Sequence, residues 1–106
     1  MLAGCGGNPG YRQPVSGMFL RVGGPAPGSP VPLPGTITAR AATGEMFTAT
    51  AGRNGRFTLS LPPGAYRVTG RSPLMQSGQM VCAATAELHV IRAEPARPIT
   101  VVCSIP

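Results

Sequence analysis

The chain has 106 residues and a mass of 10.8 kDa, which allows one small domain. Its 15 Gly and 13 Pro exclude a largely helical protein, because these residues disfavour the helix most, and 42% hydrophobic residues are too many for a disordered chain. The charge of +6 comes from nine Arg and three Glu scattered along the sequence, which predicts solvated surface charge and no nucleic-acid partner. The alternative is a polyanion-binding surface, for which an acidic cell envelope is a better counterpart than DNA.

The N-terminus carries a short lipidation pattern. Leu2-Ala3-Gly4-Cys5 resembles the lipobox of bacterial lipoproteins, in which the chain is cut before the cysteine and a diacylglyceryl group is attached to its sulfur. The resemblance implies lipidation at Cys5 and an extracytoplasmic domain anchored to the cell membrane. No 18-residue apolar run predicts a membrane-spanning segment. A leader of this class has an apolar run ahead of the lipobox, so this interpretation places the true start upstream of Met1. The alternative is an ordinary Cys5 in a floppy N-terminus.

Two regions follow from this pattern. Residues 1–14 are interpreted as a lipobox remnant and a Gly-rich flexible tether, and residues 15–106 as the folded domain. The first strand of the domain is predicted at 15–22. Residues 23–35 contain five Pro and four Gly, which excludes a helix or a central strand and predicts a long surface loop or edge segment.

Six further strands are predicted from alternating apolar and polar residues, the pattern of a strand with one buried face. Their turns contain Ala42-Thr43-Gly44, Asn54-Gly55 and Pro62-Pro63-Gly64, residue types that tight turns favour. The strands lie at residues 36–41, 45–51, 56–61, 65–70, 80–91 and 98–105, with a polar loop at 71–79. Short strands between turn signals predict an all-β fold, a seven-stranded antiparallel β-sandwich of the Ig-like kind.

Two cysteines lie on the apolar faces of the last two predicted strands. If these strands fold as an antiparallel hairpin about residues 92–97, Cys82 faces Cys103 directly, at a separation that a disulfide closes. The same register places Ala84 opposite Val101 and Ala86 opposite Ile99.

The cysteine count agrees with this pairing. Lipidation of Cys5 leaves two of the three cysteines, so the sequence predicts a Cys82–Cys103 disulfide and an oxidising compartment. The alternatives are two buried free thiols or a metal pair. A metal site needs about four ligands, and only His89 remains nearby, on the opposite face of its strand.

Residues 48–68 carry a pattern that a known family shares. The turn residue Gly55, the aromatic Phe57 and the run Leu61-Pro62-Pro63-Gly64-Ala65-Tyr66-Arg67-Val68 resemble the signature of the carboxypeptidase regulatory-like domain. That family has a transthyretin-like, seven-stranded sandwich, and with the predicted cysteine hairpin the whole chain looks like actinobacterial lipoproteins. The resemblance implies a scaffold or binding role with no catalytic residue to carry over. Ala51 stands where the family has Asp, so the polar cap of that Asp is absent.

We therefore expect a non-enzymatic envelope lipoprotein domain, without a cofactor, that structures the cell surface or binds a protein or polysaccharide there. Glu87 and His89 share the outward face of one strand and are interpreted as a surface pair rather than an acid–base pair. The alternative is an envelope protein that binds a small ligand or a soft metal, with Met75, Met80 and His89 as copper ligands, although Met more often fills a core. An exposed apolar or Arg-lined patch favours the first hypothesis; a pocket lined by these three residues favours the second.

Overall fold

The computed structural model describes residues 12–23 and 30–105. Cys5, most of the tether and residues 24–29 of the Pro-rich segment lie outside these ranges, so the lipidation prediction falls outside the described residues. The described residues form an all-β fold with one 3-10 turn at Gln76–Gly78. Within these ranges, no helix is long and apolar enough to cross a membrane. The strands are β1 (Gln13–Gly23), β2 (Val31–Pro32), β3 (Gly35–Ala41), β4 (Met46–Ala51), β5 (Arg56–Leu61), β6 (Gly64–Arg71), β7 (Cys82–Ala84), β8 (Leu88–Val90) and β9 (Ile99–Ile105).

The strands form one curled mixed sheet in the order β2-β1-β9-β7-β6-β3-β4. β5 lies beside β1 and β8 lies beside β6, off this path. The β4–β5 turn connects the far edge of the sheet back to β1, because β5 pairs with residues 13–18 of β1. The sheet therefore curls around its buried face.

The prediction of a purely antiparallel arrangement is wrong at one pair. β1 and β9 run parallel, from Gly17 opposite Ile99 to Gly23 opposite Ile105. β9 reverses direction relative to β7, as a hairpin must, and this direction coincides with that of β1, its neighbour on the other side. The first and last long strands of the sequence thus lie side by side within the sheet, next to the short edge strand β2.

The described residues form nine strands rather than seven, for two local reasons. Part of the Pro-rich segment makes the two-residue strand β2, which pairs with β1. The strand predicted at 80–91 is interrupted: β7 pairs with both β6 and β9, whereas β8 pairs with β6 alone. The predicted hairpin register is confirmed at Ala84 opposite Val101, but the ladder of paired residues ends there, so Ala86 and Ile99 are not paired.

One hydrophobic core fills the inside of the curled sheet, and it follows the predicted alternation. Gly17 and Gly70 allow close packing, since a Cβ on Gly17 would lie 2.5 Å from the carbonyl oxygen of Ile99, and one on Gly70 would lie 2.9 Å from the Ile37 side chain. The buried core residues are Val15, Phe19, Leu33, Ile37, Ala39, Ala51, Phe57, Leu59, Leu61, Tyr66, Val68, Met75, Cys82, Leu88, Val90, Ile99, Val101 and Cys103.

Candidate binding surfaces

The outer side of three neighbouring strands is polar and basic. On β3, Ile37 and Ala39 are fully buried, so the residues between and beside them point outward. The same alternation holds on β6, where Tyr66 and Val68 are buried. We call this surface the arginine–threonine face; it consists of Thr36, Thr38 and Arg40 on β3, Thr48 and Thr50 on β4, and Arg67, Thr69 and Arg71 on β6. Met46, which is 62% exposed and lies opposite Arg40, adds one apolar side chain at its edge.

Strand register orders the side chains of this face. Arg40 lies directly opposite Arg67, Thr38 opposite Thr69 and Thr36 opposite Arg71. Directly opposed residues have Cβ atoms about 5 Å apart. Arg67 and Arg71 are separated by four residues, or roughly 13 Å along a strand. A guanidinium pair, a hydroxyl pair and a third guanidinium therefore follow one another along β3 and β6.

The positive charge of this face is not neutralised within the described chain. Among the described residues, none of these arginines lies within ion-pair distance of a carboxylate, and Glu87 contacts His89 instead. Arg67 borders a hollow of about 340 Å³ that Glu87 also borders, without an ion pair between them. Like charges directly opposite each other destabilise a sheet, so the Arg40–Arg67 arrangement costs stability and favours an external anion.

A second concave feature lies where β7 and β9 separate. We call it the 85–100 cleft; its volume is about 420 Å³. The backbone N–H of Thr85 donates to the Thr100 carbonyl at 3.2 Å, beyond the last ladder pair. Just below, Cys82 and Cys103 lie at disulfide distance, with their Cα atoms 4.7 Å apart, as the sequence predicted. These two links hold β7 and β9 together at one end of the cleft, which we call its neck. The cleft is lined by Thr85, Ala86, Glu87, Leu88, His89, Ile91, Glu94, Pro95, Ala96, Arg97, Pro98, Ile99 and Thr100.

The far wall of the cleft is a turn that leaves the sheet. Ala93 has a left-handed backbone with φ of 67°, and the Glu94 N–H donates to the Ile91 carbonyl at 3.0 Å. The Gln13 side chain, which is buried on β1, donates to the Glu94 carbonyl. Pro95 lacks a backbone N–H and cannot donate to a ladder. These features hold the turn away from β8 and keep the cleft open.

The Glu87–His89 pair lies at the rim of this cleft. His89 Nε2 is 3.3 Å from Glu87 Oε1, and both side chains are more than half exposed, at 63% and 61%. The outward position predicted for both residues is therefore confirmed. An exposed pair of this kind contributes at most about 1 kcal/mol to stability.

The structure does not bring together the residues of the alternative copper site. His89 lines the cleft, but Met75 belongs to the buried core and Met80 packs against that core; neither methionine lines the cleft. Among residues 12–23 and 30–105, no group of three or more His, Cys, Asp or Glu side chains is placed to hold a metal ion.

The environment of the Tyr66 hydroxyl is structural. Its hydroxyl donates to the Pro62 carbonyl at 2.6 Å, and its ring packs edge-on against Phe47, with centroids 5.9 Å apart. Burial raises the pKa of Tyr66 above its ordinary value of 10.0, and the charge of Glu45 raises it further. The phenol therefore stays protonated and anchors the β5–β6 corner.

Sequence reasoning missed both surfaces as sites. The signal for the first lies in Thr36-Ile37-Thr38-Ala39-Arg40 and Arg67-Val68-Thr69-Gly70-Arg71, whose alternation puts three polar side chains of each strand on one face. The register that brings the two sets together is set by tertiary pairing. Comparison of the chain with protein-family models, curated proteins and solved structures finds no match.

Proposed function

We propose that this protein is a non-enzymatic binding domain of the cell envelope, held at the membrane by lipid on Cys5, which binds an anionic polysaccharide through the arginine–threonine face. The observation that carries this proposal is the pair of opposed arginines, Arg40 on β3 and Arg67 on β6, whose charge no carboxylate in the described residues neutralises. Arg71 adds a third positive charge further along β6. It is the Arg-lined patch expected of a binding domain.

The chemistry of the face favours an acidic glycan. A guanidinium forms paired hydrogen bonds with a carboxylate, sulfate or phosphate group. The Thr38–Thr69 pair between the arginines offers hydroxyls that both donate and accept, which matches sugar hydroxyls. The face has no aromatic side chain on which a neutral sugar would stack, so charge is the main source of affinity.

Two features of the fold support a binding domain of the cell envelope. We propose that the curled sheet is a transthyretin-like sandwich, and the Tyr66–Pro62 hydrogen bond supports this, because a tyrosine that bonds back to the preceding corner is typical of β-sandwiches. The Cys82–Cys103 pair at disulfide distance supports an oxidising, extracytoplasmic location.

Alginate, a linear polymer of sugar carboxylates, is a suitable probe, with neutral dextran as its control. We expect calorimetric binding of alginate that weakens as ionic strength rises, because at about 0.15 M salt exposed charges are screened beyond about 8 Å. The double variant Arg40→Gln/Arg67→Gln should bind up to about 30-fold more weakly, if each exposed guanidinium contact contributes up to about 1 kcal/mol.

A matched variant tests whether affinity depends on the arginines of this face or only on the net charge of the protein. Arg53→Gln/Arg56→Gln also removes two positive charges, but at exposed positions in the β4–β5 turn and at the first residue of β5. It should keep alginate affinity within about threefold of the parent. Equal losses in the two variants, or equal binding of dextran and alginate, would contradict a site on the arginine–threonine face.

A small-ligand function is the second candidate, and the 85–100 cleft is the observation that favours it. A soft-metal site gains no support, since Met75 is buried in the core.

A further inference from the structure

We propose that the 85–100 cleft accepts an extended peptide segment of another protein, which adds a strand to the free edge of β8. The lining of the cleft shares no residue with the arginine–threonine face. The site needs neither the charge of that face nor a glycan partner.

The first step of the argument is the open edge of β8. Leu88, His89 and Val90 pair with β6 along one edge, and no strand in the described part of the chain pairs with the other. Backbone N–H and C=O groups of successive strand residues point to opposite edges. β8 therefore presents donors and acceptors to the cleft, the groups that an added strand would pair with.

The second step is the space beside that edge. β9 is the neighbour of β7, but beyond the Thr85–Thr100 hydrogen bond the chain ahead of β9 diverges from β8. Pro98 has no N–H, so the residue just before β9 cannot donate a hydrogen bond across the gap. The volume of 420 Å³ falls within the range of ligand sites, and the cleft occupies the position of the missing ladder.

The third step is the chemistry of the walls. Buried Leu88 and Ile99 form apolar parts of the lining, and Ile91, which is 53% exposed, lies at the rim. Glu87 and Arg97 offer charges of both signs around this apolar surface. A peptide with an apolar side chain flanked by polar residues fits this surface, and one strand edge supplies the backbone hydrogen bonds.

The site is also held in shape before any peptide arrives. The Cys82–Cys103 pair closes the neck, and the Gln13–Glu94 hydrogen bond ties the far turn to β1. A preformed site loses less conformational entropy on binding than one that must order itself.

The test is selection from a random octapeptide phage library on the full chain, with counterselection on the Ile91→Arg variant. Ile91 is an exposed rim residue, so the variant should fold. The matched control is Val81→Arg, which is similarly exposed (55%) but does not line the cleft. We expect enriched peptides with alternating apolar and polar residues that bind the parent and Val81→Arg alike, and bind Ile91→Arg at least about tenfold more weakly.

A backbone readout distinguishes strand addition from side-chain contact alone. N-methylation of one amide in an enriched peptide removes one donor, and at alternate positions it should lower affinity at least about tenfold. Binding should also slow hydrogen exchange of amides within Leu88–Val90. The proposal is overturned if no peptide is enriched, if the two rim variants bind equally, or if N-methylation has no effect at any position. Peptide binding should persist in Arg40→Gln/Arg67→Gln, which separates this test from that of the glycan site.

Discussion

Breaking the Cys82–Cys103 bond tests how much the clamp at the neck of the cleft stabilises the domain. The two cysteines are 21 residues apart in the sequence and both are buried. A cross-link removes conformational entropy from the unfolded chain, and for a loop of this length the chain-entropy relation gives about 3 kcal/mol. This is a large share of the total stability of a small domain, which is about 5–15 kcal/mol. In a domain of this size each kcal/mol of stability corresponds to about 4–8 °C in Tm, so we expect reduction to lower the Tm by roughly 12–24 °C.

The assay is urea unfolding followed by circular dichroism, in a Cys5→Ser chain so that thiol exchange with the tether does not interfere. The oxidised protein, its fully reduced form and a Cys82→Ala/Cys103→Ala variant are compared, with intact mass reporting the redox state. The reduced form should unfold at lower urea and with a larger m value, because its unfolded chain is more expanded. The alanine variant should have a still lower free energy of unfolding, since replacing both buried cysteines also leaves a cavity.

Two results would refute this reasoning. Equal free energies of unfolding for the oxidised and reduced forms would show that the bond does not restrict the unfolded chain as the loop-entropy argument requires. Free thiols in protein refolded under oxidising conditions would show that the cross-strand pair does not form the disulfide.

Three further predictions concern single residues. Gly17→Ala should cost about 1–3 kcal/mol of unfolding free energy, because its Cβ meets the backbone of β9, whereas Gly52→Ala, whose Cβ would lie 3.4 Å from Asn54 Oδ1, should cost under about 1 kcal/mol; equal costs in urea unfolding would count against this packing. Tyr66 has a raised pKa in the folded state, so its contribution is complete below pH 10.0 and declines as pH rises through the folded pKa. Stability of Tyr66→Phe should therefore depend less on pH above that point, and identical pH profiles would contradict the expectation. Arg40→Thr relieves the repulsion with Arg67, so thermal melts at low salt should show a gain of about 0.2–1 kcal/mol that shrinks at high salt; a gain independent of salt would exclude an electrostatic origin.

Local properties of the sequence determined most strand positions. Phe57, Leu59 and Leu61 alternate with polar residues, and all three are buried in β5, as the pattern predicts. Gly44 and Gly55 adopt φ of 98° and 78° in their turns, a conformation that few other residues accept. The register at the cysteines was also predictable, because β7 and β9 are joined through one segment and a hairpin pairing needs no information from the rest of the chain.

Only the tertiary structure decided which strands that are distant in the sequence become neighbours. Arg40 and Arg67 meet because β3 pairs with β6 although β4 and β5 lie between them in the sequence, and the parallel β1–β9 pair depends on how the sheet curls. The 85–100 cleft depends on β8 pairing with β6 rather than continuing along β9. The alternation of side chains specifies which face of a strand is buried, whereas each strand has two edges that offer equivalent backbone hydrogen bonds. The choice of partner at each edge is set by the free energy of packing the whole core, which no single segment contains.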